Sequence, residues 1–324
     1  MTVDASKSES LLLKCAAFDS WIESTPHIDA FCSSSTWGIP ATSAFGPRDV
    51  TETWSFDEGA AAFAHYGNFL RPLECVWLLG TPIVGPKPHV VLRELFRDNN
   101  FVTRDWRILV LAGIPLGTPE WYPFLDLARR LGRLDQLGDP RSRNIASLDG
   151  GLEGWMGRRT GKFRTGLRHS EKLATNYGVT FRRRTLSTAA EADQIFQIIE
   201  QVEQRSHKLV GGNSILNEPM RSFVSGVLRL SATRYAVRFI EAWADDQVVG
   251  YIFGTVFQDM YRGLQMSFDD AYRSLALGNM LQLNMIQWLA DDHVRLYDMG
   301  AELPYKERWA EMKHETRTLL LRRR

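Results

Sequence analysis

Beyond Gly178 the apolar positions of the chain keep changing period, and each change marks an element. Residues 179–186 alternate, with Val179 and Phe181 on one side and Thr180, Arg182 and Arg184 on the other, which predicts a strand. Ser187 and Thr188 then cap a helix over 189–204, whose apolar stripe is Ile195, Ile198, Ile199 and Val202. A second helix over 218–230 is marked by Met220, Phe223, Val224, Val227 and Leu228. Strands follow over 235–244, 248–257 and 260–268, with Asp245-Asp246 as the tight turn between the first two. A helix over 277–290, a strand over 294–299, a short helix over 304–309 and a strand over 316–321 complete the pattern. The predicted order is β-α-α-β-β-β-α-β-α-β, and a mixed sheet with helices on both faces follows from it.

The first half is less regular. Residues 11–22 have helical spacing, and 26–51, rich in Ser, Pro and Gly, predict irregular chain. The run 76–79 reads as a strand passing into a loop, followed by 83–86. Helices are predicted over 90–97 and 119–131, the second with Thr118 as N-cap and Pro119 in the first helical position. A strand is predicted over 106–111. Strand and helix at short intervals indicate another α/β unit. Between the halves, 151–177 reads as one long basic helical segment carrying Arg158, Arg159, Lys162, Arg164, Arg168 and Lys172. It is either a solvated connecting helix or an anion-binding face.

A chain of 324 residues, 44% apolar and 24% charged, is long enough for two globular domains. The expected division is 1–150, a linker helix over 151–177, and 178–324. A net charge of +1 provides no global field that would select DNA. Cys15, Cys32 and Cys75 form no Cys-x-x-Cys pair, so no metal site is expected. No basic-then-apolar leader and no run near the ~20 apolar residues of a membrane span is read, and a cytoplasmic location is expected.

Two stretches carry chemistry. Arg273-Ser274-Leu275-Ala276-Leu277-Gly278-Asn279 lies between a strand and a helix start, where small residues let backbone N–H groups approach an anion. It resembles the Gln/Arg-x-x-Gly-x-Gly/Ala loop on which GNAT acyltransferases bind the pyrophosphate of coenzyme A, with Ala276 where the middle Gly is usual. The segment from Asp298 through Tyr305-Lys306 to Trp309 resembles the D-x-G-x-x-x-x-Y-K-x-x-W close of the BioF2-like group, related to the Fem peptidoglycan aminoacyltransferases. Glu203-Gln204-Arg205-Ser206-His207-Lys208 is similar to the group's Glu-x-x-Ser-Trp-Lys segment, with His207 in place of Trp, and Lys162 to Arg168 resembles its linker helix. The resemblance implies a tandem GNAT-like α/β fold, degenerate in its first half and complete in its second. It also implies N-acyl transfer from acyl-coenzyme A or an acyl carrier protein to an amine-bearing small molecule or peptide, with no permanently bound cofactor.

Such transfer requires a base for the amine, an N–H for the oxyanion and a proton for the departing thiolate. The resemblance implies Tyr305 for the thiolate. The candidate bases are Glu203, His207, Asp298 and Glu302; Glu203 with His207, which a continuous helix would put on one face, ranks first and Asp298 second. Lys208, Glu302 and Lys306 are candidate acceptor contacts, Lys306 for a carboxylate or phosphate. Gly211-Gly212-Asn213 is a loop where a peptide acceptor would enter. Met260, Met266, Met280 and Met285 either line an acyl pocket or belong to the core. Three readings stay open: this N-acyltransferase, including fatty acylation in peptide or natural-product modification; a tRNA-dependent aminoacyltransferase, which the basic helix would serve; and a non-catalytic binding module on the same scaffold.

Overall fold

The computed structural model describes residues 5–46, 48–74, 76–212, 214–234 and 236–323. Cys75, Asn213 and Tyr235 lie outside them. The chain forms two compact units: Met1–Ser142 with Glu315–Arg324, and Arg143–His314. This division differs from the expected boundaries at 150 and 178. Residues 151–177 belong to the second unit because Trp155, Leu167 and Ala174 are buried in its core. The chain's last ten residues belong to the first unit.

In the first unit, helix α1 (Ala5–Asp19) is followed by α2 (Ala30–Ser33) and α3 (Ser35–Phe45), where the composition predicts irregular chain. Residues 35–42 of α3 are all buried. A helix buried on every side has no polar face, and its small residues mimic a loop composition. Strands β1 (Val50–Phe56), β2 (Gly59–Tyr66) and β3 (Phe69–Arg71), which the pattern does not announce, form an antiparallel meander. The short β4 (Ile83–Val84) pairs with β2. Residues 76–79 are not a strand: the buried Glu74 carboxylate accepts the N–H groups of Val76, Trp77 and Leu79. Helices α4 (Pro88–Leu95) and α5 (Asn99–Val102) precede β5 (Ile108–Pro115). A 3-10 turn over Pro119–Trp121, which Thr118 does not cap with its side chain, leads into α6 (Tyr122–Leu131). Then comes β6 (Arg133–Gln136). The last strand of the chain, Met312–Arg322, pairs antiparallel with both β5 and β6 through residues 316–322.

The second unit begins on β7 (Arg141–Ser147) and continues with α7 (Gly151–Gly157) and α8 (Gly161–Tyr177), separate helices because Thr160 caps a new start. Next are β8 (Thr180–Leu186), α9 (Ala189–Glu203), α10 (His207–Val210) and α11 (Met220–Arg234). Thr188 and Glu191 make a reciprocal capping box at the start of α9. Strands β9 (Ala236–Ala244), β10 (Gln247–Phe257) and β11 (Met260–Phe268) form the expected meander. Asp245 and Asp246 both take positive φ in its first turn. Helix α12 (Leu277–Asp291) and β12 (Leu296–Ala301) follow, then a 3-10 turn over Pro304–Lys306, shorter than the helix predicted there. The strand order is β7-β12-β11-β10-β9-β8, with β11 and β12 parallel and the other pairs antiparallel. Ile240 and Ala242 of β9 face a core built with Trp155, Leu167, Leu281 and Met285 of the helices. Alternate residues Phe239 of β9 and Tyr251 of β10 stack on each other and are fully buried. Among the described residues no helix is long and apolar enough to cross a membrane.

Candidate active site

Strands β11 and β12 run parallel for only three residue pairs, from Met260↔Leu296 to Arg262↔Asp298. Beyond them the strands part. Gly263 sits at the fork, where a Cβ would stand 2.9 Å from the Tyr297 ring, so a larger residue would push the strands apart too early. On the other side of β11 the register with β10 shifts: Gly254 faces Gly263 but Phe253 faces Gln265, leaving Leu264 as an extra residue. This is a β-bulge, the reading that glycine inside a strand invites.

The bulge fixes which backbone groups face the fork. The Asp269 N–H donates to Val249 C=O at 2.8 Å, so that pair is hydrogen-bonded and the pattern alternates from there. Met266, opposite Ile252, falls in a non-bonded position, and its N–H and C=O point away from β10. The Lys208 ammonium donates to that carbonyl at 2.5 Å, as this orientation requires.

A cavity of about 440 Å³ opens at the fork. His207 and Lys208 reach it from α10, Met266 and Phe268 from β11, and Tyr297 and Met299 from β12. Tyr305 and Lys306 close its far side. A second cavity of about 250 Å³ shares the walls Met266, Phe268, Gln282, Tyr305 and Trp309 and extends to Ala276, Gly278 and Asn279 at the start of α12. No side chain caps that helix; the Asn279 N–H donates to Ala276 C=O at 3.0 Å, and the N–H groups of Leu277 and Gly278 ahead of it have no carbonyl one turn back within the helix. Ala276 sits there in the left-handed region, φ 52°. Arg273 is ion-paired with Asp270 on the surface, Ser274 is exposed, and Leu275 and Leu277 are buried.

The expected base pair is not joined. Helix α9 ends at Glu203, Ser206 caps α10, and His207 starts that new helix. Glu203 is fully buried, and its carboxylate accepts from Tyr251 Oη at 2.7 Å and Ser214 Oγ at 3.0 Å, not from His207. His207 is exposed and packs against Phe268 at the cavity wall. Asp298 is also fully buried and does not line the cavity; its carboxylate receives Arg143, Arg262 and the Gly300 N–H. Glu302 is at the surface, ion-paired with Lys313. Met280 and Met285 are core residues, and of the four methionines Met266 lines the cavities.

Burial pushes the Tyr305 phenol above its usual range, so it holds its proton at neutral pH. Burial lowers Lys208, partly offset by the nearby Glu203 charge. Lys306 is pushed down to about 8, first by burial and then by the charges of Arg262 and Lys208. Its ammonium donates to Met299 C=O at 2.7 Å and Ala301 C=O at 3.0 Å. Sequence reasoning missed Tyr251, Ser214, Arg143 and Arg262, all positioning partners that carry no motif. It also missed the Leu264 bulge, for which Gly254 and Gly263 were the available signal.

The family described as acetyltransferase (GNAT) domain matches residues 161–307. No curated protein matches the sequence. Among solved structures the chain is similar to FemX, at 10% identity and TM-score 0.65 over 92% of this chain and 94% of that one. It is also similar to L-PGS from Bacillus licheniformis, at 12% identity and TM-score 0.60 over 95% and 91%. A tandem GNAT protein from the clavulanic acid biosynthesis pathway matches at 13% identity and TM-score 0.50 over 99% and 97%. At such identities the likeness concerns the fold, which is that of tandem GNAT proteins.

Proposed function

We propose, from the premise that this chain carries a GNAT acyltransferase domain over residues 161–307, that it moves an acyl group from acyl-coenzyme A or an acyl carrier protein to a primary amine of an amino acid, amino sugar or peptide. The observation that carries this reading is the fork between β11 and β12, with an outward N–H at Met266 and a cavity running from it to the start of α12.

In this reading the donor's phosphates rest on the first amides of α12, and its thioester arm follows the smaller cavity toward Met266. The Met266 N–H receives the carbonyl oxygen as it becomes an oxyanion. The amine attacks the carbonyl carbon, the C–S bond breaks, the amine proton passes through water to His207, and Tyr305 protonates the departing thiolate. Glu203 holds the segment at Ser214 on the acceptor side. Asp298 fixes Arg262 beneath Lys306, a positioning duty in place of the base role weighed from the sequence.

One observation favours a macromolecular donor. Arg164, Arg168 and Lys172 recur at four-residue spacing on α8, and among the described residues they and Lys162 form no ion pair, while Arg158 and Arg159 share the Glu311 carboxylate. Like charges at this spacing destabilise a helix, so an acidic carrier or a tRNA would relieve them. Native mass spectrometry against acyl-coenzyme A thioesters from acetyl to palmitoyl tests the donor directly. A bound thioester supports the main reading and its chain preference; no binding across the series turns the donor assignment to a carrier or tRNA.

A further inference from the structure

We infer that the acceptor amine carries a small anionic group, a carboxylate or a phosphate, and that Lys208 and Lys306 hold it together. This rests on the acyl-transfer reading and names the acceptor's chemical class.

The two lysines come from elements far apart in sequence, α10 and the turn before Trp309, yet both line the larger cavity. Each ammonium is fixed by acceptors behind it. Lys208 donates to Met266 C=O and, at 3.4 Å, to Gln265 Oε1. Lys306 donates to two carbonyls of the β12 end, Met299 and Ala301. An ammonium has three N–H donors, so each lysine keeps one for a ligand in the cavity. Among the described residues neither lysine is ion-paired with a carboxylate. Glu203, the charge that acts on Lys208, is spent on Tyr251 and Ser214. The other titratable groups at this wall are His207, Tyr297 and Tyr305, with Arg262 beneath, and none supplies a negative charge at neutral pH.

Two cations in one partly enclosed cavity repel each other and are poorly solvated, and an arriving anion corrects both defects. The depressed Lys306 is the mark of that missing charge. A polycationic amine would meet the same repulsion and is disfavoured. An amino acid fits the pattern: its carboxylate binds the two lysines while its amine points back to the fork at Met266.

The test has two arms on the full chain. In the first, lysine is labelled with 13C at Cε, Lys208→Gln and Lys306→Gln assign the two signals, and titrations are run with and without inorganic phosphate or acetate. The inference expects either anion to raise the Lys306 midpoint by about one pH unit. A midpoint that neither anion moves overturns it, whether or not a thioester binds. In the second arm acetyl-coenzyme A is offered with glycine against glycinamide and O-phosphoethanolamine against ethanolamine. The preferred anion gives a KM about tenfold lower than its uncharged partner, and Lys306→Gln erases that ratio while thioester affinity holds. Equal KM values within both pairs overturn the inference. Failure of thioester binding alongside a shifted Lys306 midpoint removes the acyl-transfer reading and leaves the anion site standing.

Discussion

The phenol of Tyr251 donates a 2.7 Å hydrogen bond to the carboxylate of Glu203, and both side chains are fully buried. Burial and the Glu203 charge push the Tyr251 phenol well above its ordinary range, so it remains a donor at any working pH. Tyr251→Phe leaves Glu203 with Ser214 as its hydroxyl partner. The expected loss of stability is about 1–3 kcal/mol, the consequence of stranding part of a buried carboxylate. Urea denaturation of the two proteins measures it. A loss well below this range would mean that water replaces the phenol, and that Glu203 is open to solvent.

Tyr305 separates chemistry from binding. In the proposed role of proton donor to the thiolate it would act in its neutral form, and burial raises its pKa above the ordinary value of 10.0. The alkaline limb of kcat belonging to this group should therefore lie above that value. Tyr305→Phe should lower kcat by about 100-fold and leave thioester affinity within a factor of two or so. An unchanged kcat removes Tyr305 as the acid.

The second unit was legible where local chemistry and tertiary packing agree. The helix cap at Thr188, the turn at Asp245-Asp246 and the three-strand meander follow from patterns within about ten residues of one another. Helix α3 was hidden because complete burial removes the polar face that reveals a helix. The 76–79 run misled because its backbone N–H groups find the Glu74 carboxylate instead of a neighbouring strand. Tyr305, Lys306, His207 and Lys208, which line the larger cavity, lie in stretches that the sequence singled out. The partners that divert Glu203 and Asp298 do not, because Tyr251, Arg143 and Arg262 are brought there only by long-range folding.

Lys306 also leaves a mark on stability. Its folded pKa, about 8, lies below the 10.5 of an ordinary lysine, the value expected of the unfolded chain. Between those two values the unfolded state binds more protons, so the lysine's contribution to stability rises with pH across that window. Below pH 8 the charged, poorly solvated ammonium destabilises the fold; above 10.5 it is neutral in both states and the penalty disappears. Denaturation of wild type and Lys306→Met at both ends of the window isolates the effect. Wild type should become more stable relative to the variant as pH rises, and a constant difference would mean that Lys306 titrates as an ordinary surface lysine.

The stripe on α8 predicts a donor-dependent defect. Arg164→Glu with Arg168→Glu reverses two of its charges on a face without ion-pair partners among the described residues. With a carrier- or tRNA-linked donor kcat/KM should fall by about 100-fold or more at low salt, and the difference should shrink as salt screens it. With free acyl-coenzyme A the rate should hold. Equal losses on both donors would assign the stripe a structural role.

The start of α12 gives the sharpest pair of opposite outcomes. Ala276 holds a left-handed conformation, φ 52°, that glycine adopts without steric penalty, and glycine is the residue the phosphate-binding loop usually has there. Ala276→Gly should therefore leave stability equal or improve it by up to about 1 kcal/mol, and should tighten donor binding by exposing more of the helix start. Two residues on, a Cβ at Gly278 would stand 3.4 Å from the Phe268 ring and 3.6 Å from the Met266 methyl, so a small side chain fits and a large one fills the smaller cavity. Gly278→Trp should abolish thioester binding in native mass spectrometry while the protein remains folded by circular dichroism. Retained binding in Gly278→Trp together with unchanged affinity in Ala276→Gly would move the donor's phosphates away from α12, and with them the direction in which the thioester enters the fork.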